Sequence, residues 1–60
     1  MLIHVSWECV TDGKTIEGAN FQYNMGKLLD DGYQLDIDTP AGKRSFTSKE
    51  MFDEWFDALG

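Results

Sequence analysis

An apolar stripe near the end of the chain limits the fold more than any other feature. Met51, Phe52, Trp55, Phe56 and Leu59 recur at the three- and four-residue spacing of a helix. Glu50, Asp53, Glu54 and Asp57 fall on the opposite face. Thr47 or Ser48 is placed to cap this helix. Thr47-Ser48-Lys49-Glu50 fits the capping-box pattern, in which an acid three residues on bonds back to the cap. A short helix is stable only when its apolar face is covered. In a chain of 60 residues that cover must come from the elements before it. A domain of this size buries only about 60% of the surface its unfolded chain exposes, so each large apolar side chain counts. Residues 1–60 are read as one compact domain.

The earlier segments supply a sheet. Residues 2–10 alternate, with Ile3, Val5, Trp7 and Cys9 on one side and His4, Ser6 and Glu8 on the other. That pattern predicts a half-buried strand. Asp12-Gly13 then reads as a hairpin turn, with Lys14-Thr15-Ile16 as a short returning strand. Residues 20–31 read as a helix capped by Asn20, with Phe21, Met25, Leu28 and Leu29 on one face. Gly26 costs this helix about 1 kcal/mol relative to alanine. Gly32 is placed as its left-handed terminator. Residues 33–38 alternate again, with Tyr33, Leu35 and Ile37 inward. A turn over Thr39-Pro40-Ala41-Gly42 leads to a partner strand over 43–47. The simplest register sets Asp38 against Lys43 and Leu35 against Phe46. The expected order is β(β)αββα: an α+β fold, with a small antiparallel sheet of three or four strands and two helices packed on one face.

Charge excludes several functions. Eleven Asp and Glu face five Lys and Arg, for a net charge of −6. Direct binding to DNA or RNA needs a clustered positive face, and anionic membranes need the same. A basic protein surface is an allowed partner. With 13% aromatic residues the chain is not a disordered acidic tail. The single cysteine, Cys9, cannot form an intramolecular disulfide. No basic leader or long apolar run is seen, so neither a secretory signal nor a membrane span is expected, and the expected location is the cytoplasm.

Candidate chemistry fails on geometry. His4 and Cys9 have opposite parity on the expected strand, so they leave opposite faces and make no nucleophile pair. Cys9 is expected to act as a small buried hydrophobe. Asp36-Ile37-Asp38 with Gly42 begins like a calcium loop. However, Pro40 and Ala41 replace a ligand and the turn glycine, and Thr47 stands where the closing glutamate belongs. One His and one Cys cannot build a structural zinc site. A catalytic carboxylate pair needs a pocket that drives its pKa values apart, and so small a core leaves little room for one. Gly13, Gly18 and Gly26 do not match a phosphate-binding loop. The chain is therefore expected to be no enzyme and to need neither cofactor nor metal.

The acids suggest binding instead. Asp53 and Asp57 stand about 6 Å apart along the last helix, a like-charge spacing that does not help it fold. Glu54 and Asp57 lie towards the C-terminal end, where the helix dipole disfavours them. Asp36 and Asp38 project from one strand face about 7 Å apart. In size, charge and aromatic content the chain is similar to very short acidic bacteriophage proteins that occupy the basic grooves of DNA-binding host proteins. That resemblance includes no motif. It implies an inhibitor acting as a DNA mimic, with Asp36, Asp38, Glu50, Asp53, Glu54 and Asp57 as the docking surface. A second expectation is a structural or adaptor domain, monomeric or homodimeric, that binds through exposed Tyr23 and Trp55. A third is that the charge only keeps the protein soluble.

Overall fold

A computed structural model describes residues 1–15, 18 and 20–59. The elements run β1 (Leu2–Val5), α1 (Trp7–Gly13), α2 (Phe21–Asp30), β2 (Gln34–Thr39), β3 (Gly42–Phe46) and α3 (Lys49–Ala58). The fold is α+β, with a three-stranded mixed sheet in the order β1-β2-β3. β2 and β3 form the expected antiparallel hairpin, including Leu35 opposite Phe46 and Asp38 opposite Lys43. β1, however, pairs with β2 in parallel, Ile3 beside Leu35 and Val5 beside Ile37. The sheet is therefore not antiparallel throughout. A helical crossover returns the chain to the start of the sheet, as parallel neighbours require.

The main correction lies at residues 6–15. The strand ends at Val5, and a third helix follows. Ser6 takes an extended conformation and its hydroxyl accepts the Cys9 N–H at 3.3 Å, which caps α1. Alternation over Ile3, Val5, Trp7 and Cys9 competes with the helical spacing of Trp7 and Val10, and the cap decides between them. Asp12-Gly13 is the last turn of α1, not a hairpin. Lys14 and Thr15 form no strand, and Ile16 lies outside the described residues. Cys9 is exposed, not buried.

The other helices follow the sequence more closely. Asn20 occupies the cap position of α2 but makes no side-chain capping bond. Gly32 takes φ +97°. The Gly32 N–H donates to Leu29 O at 3.1 Å and the Tyr33 N–H to Leu28 O at 3.0 Å, the paired bonds of a Schellman terminus. α3 is capped by Ser48, whose hydroxyl accepts the Met51 N–H at 3.4 Å. Glu50 sits two residues after this cap and accepts from the Ser48 hydroxyl at 3.0 Å. The reciprocal capping box on Thr47 is thus replaced by a shorter contact.

The helices pack on the inner sheet face, where Val5, Leu35, Ile37 and Phe46 meet Val10, Leu29, Phe52 and Phe56. Phe52 is fully buried. Its ring lies 5.6 Å from Phe56, 5.7 Å from Phe46, 6.1 Å from Trp55 and 6.4 Å from Phe21. Met51, expected in the apolar stripe, is 64% exposed. The outer sheet face carries His4, Asp36 and Ser45 side by side on the three strands.

Two glycines differ sharply in their surroundings. A Cβ at buried Gly13 would collide with the Phe21 ring. One at Gly26 would meet only the flexible stem of Lys49, at 3.1 Å. Gly13→Ala is therefore expected to lose about 1–3 kcal/mol by overpacking. Gly26→Ala is expected to be neutral or to gain up to about 1 kcal/mol of helix propensity. Urea unfolding of the two variants beside the wild type checks the contrast.

Candidate functional site

Most of the acids expected to form one docking surface have partners inside the molecule. The Gln22 side-chain amide donates to Asp53 Oδ1 and to Asp57 Oδ1, each at 3.1 Å. This ties the like-charged pair to α2. Lys49 adds an ion pair to Asp53 Oδ2 at 3.7 Å. Two carboxylates that burden α3 in isolation thus help to join α2 and α3. The Glu50 carboxyl is held below the ordinary carboxylate range by its own backbone N–H, then by the Ser48 hydroxyl and, more weakly, by Lys49. Glu54 and Asp57 are exposed.

The strand acids stand elsewhere. Asp36 and Asp38 alternate with buried Leu35 and Ile37, so they project from the face without helices. Asp36 accepts a hydrogen bond from the Ser45 hydroxyl. They do not join the α3 acids, which belong to the other layer. His4, Asp36 and Ser45 are the three residue types of a hydrolase triad in one row, but in the wrong order. Asp36 lies between the other two and receives the serine hydroxyl, so no imidazole stands beside the nucleophile. Among the described residues no three His, Cys, Asp or Glu side chains are grouped to hold a metal ion. Nor is any helix among them long and apolar enough to cross a membrane.

A different region brings aromatic and cationic residues together. Trp7 at the start of α1 and Trp55 on α3 meet edge to face, with ring centroids 6.5 Å apart and planes at 65°. With Leu59 and the Thr39–Gly42 turn they line an open cleft of about 340 Å³, with Lys43 and Arg44 also lining it. The Arg44 guanidinium stacks over the Phe46 ring at 5.4 Å. A shallower groove continues between β3 and α3, lined by Arg44, Phe46, Met51, Glu54, Trp55 and Ala58. Among the described residues no acid lines this cleft, although the chain carries eleven. Tyr23, the other expected aromatic, is 66% exposed. It lies with Gln22, Lys49 and Asp53, away from the tryptophans.

Lys14 ties the end of α1 to the end of α3. Its Nζ donates to the Phe56 carbonyl at 2.7 Å and lies 4.3 Å from the centre of the Phe56 ring. It supplies the cation that the last turn of α3 lacks in its own sequence. Trp7, Arg44 and Leu59 were not expected at a site. Spacing along the chain carries no sign of them, because only the tertiary fold brings α1, β3 and α3 together. Compared with protein-family models, with curated proteins and with solved structures, the chain matches none of them.

Two outcomes follow. Lys14→Met keeps the apolar stem but loses the charged bond and the ring contact, and is expected to cost about 1–3 kcal/mol in urea unfolding. The lowered Glu50 pKa makes its charge a stabilising element above about pH 4.3, the ordinary glutamate value. That stabilisation is lost as pH falls through the folded-state pKa. Glu50→Gln is expected to flatten this part of the acid limb, measured as urea midpoints through the acid range.

Proposed function

We propose that the chain is a non-catalytic protein-binding domain that engages its partner through the cleft between Trp7 and Trp55. The carrying observation is the cleft itself: two tryptophans at an opening with cationic residues and, among the described residues, no acid along its lining. Aromatic residues and arginine anchor protein interfaces because they bury large areas while keeping a polar contact. The cleft is open, which suits a side chain from a partner better than an enclosed small molecule.

A second reading rests on the exposed side of α3. Glu50, Glu54 and Asp57 lie there at spacings of four and three, all exposed. Such a stripe suits a basic surface, including the nucleic-acid-binding face of a host protein blocked by a DNA mimic. The bonds of Asp53 and Asp57 to Gln22 give these acids a structural use, and Asp36 and Asp38 face away from them. The cleft is therefore the better-supported surface.

Salt and substitution separate the readings. The immobilised domain is exposed to a cell lysate, and retention is compared at about 0.1 M and about 1 M salt, where the screening length falls from about 10 Å to about 3 Å. A cleft partner, anchored by burial on Trp7 and Trp55, is expected to be weakened but still retained at the higher salt, and to be lost with Ala41→Trp, which fills the cleft from its exposed rim. A partner of the acidic stripe is expected to elute and to be lost with the Glu54→Lys, Asp57→Lys double variant. Retention that follows only the second pattern decides against the cleft.

A further inference from the structure

β3 is an edge strand, and Gly42 to Ser45 are all exposed. Its outward backbone groups are available for pairing with another strand. Beside it, on the inner side, runs the groove of Phe46, Met51, Trp55 and Ala58, which opens into the tryptophan cleft. An added strand would set alternate side chains into that groove and turn the others to the outer face beside Lys43.

Charge selects the occupant. β3 places Lys43 on the outer side and Arg44 on the inner side, and neither forms an ion pair among the described residues. A second copy of β3 would bring two more cations against these two. The edge is therefore defended against self-pairing. The same cations attract a strand of opposite charge. The groove needs apolar side chains facing inward, and Lys43 favours acidic ones facing outward.

We infer that the β3 edge accepts an extended segment of another protein in which apolar and acidic residues alternate, with the apolar side chains seated between β3 and α3. This deepens the cleft reading and rests on it, since groove and cleft share Arg44 and Trp55.

The test titrates the ¹⁵N-labelled full chain with short blocked peptides of alternating leucine and glutamate, leucine and lysine, or leucine and serine. The leucine–glutamate peptide is expected to shift the backbone amides of Gly42 to Phe46 and the Trp55 indole N–H. The lysine peptide is expected to leave both unmoved. The Lys43→Glu, Arg44→Glu double variant alters two exposed side chains and is expected to weaken the glutamate peptide about tenfold or more. Equal binding of the serine or lysine peptide would overturn the acidic preference. Shifts confined to the indoles, with the β3 amides still, would overturn strand addition while leaving the cleft as a binding site. No shift with any peptide would overturn the inference as well; the lysate capture with Ala41→Trp then judges the cleft on its own.

Discussion

The packing of α3 on the sheet is the contact on which the other elements depend. Phe52 enters the centre of the core with no exposed surface, and four aromatic rings surround it. Each well-buried side chain of this size contributes on the order of 1.5–3 kcal/mol. In so small a domain that is a large share of the net stability. The position of α2 follows from this packing, because Phe21 touches both Phe52 and Phe56. α1 is tied to the same helix by Lys14 and by the contact of Trp7 with Trp55.

What the sequence reveals depends on whether the deciding contacts are local. α3 and the β2–β3 hairpin were legible because their signals lie within a few residues: a helical stripe, a turn over Thr39–Gly42, two alternating runs. The termination of α2 at Gly32 was legible for the same reason. The segment after Val5 was misread because its alternation and its helical spacing are both present. A single serine hydroxyl on the Cys9 amide tips the balance. The parallel partnership of β1 and β2 has no local signature, since it depends on how the intervening helices return the chain. Trp55 was legible as an aromatic of the last helix. Its partners Trp7 and Arg44 could not be, because they come from distant parts of the chain.

The acidic residues show how far a list of charges differs from their arrangement in the fold. Read as a list of charges, Asp53 and Asp57 look like a burden carried for a partner. In the fold, one amide from Gln22 joins both of them to the neighbouring helix. Part of the excess negative charge serves assembly, and four of the five cations stand at structural contacts or beside the cleft. Lys49 pairs with Asp53, Lys14 closes the end of α3, and Lys43 and Arg44 stand beside the cleft.

The cover that α3 gives the sheet also has a consequence for partly opened states. α1 and α2 bring Val10 and Leu29 to the inner sheet face, but Phe52 and Phe56 of α3 complete its cover. Whenever α3 detaches, Leu35, Ile37 and Phe46 lose the rings that shield them. A sheet with one apolar face open to water is the condition in which unfinished sheets tend to associate. The net charge of −6 opposes that association, because the opened chains repel one another.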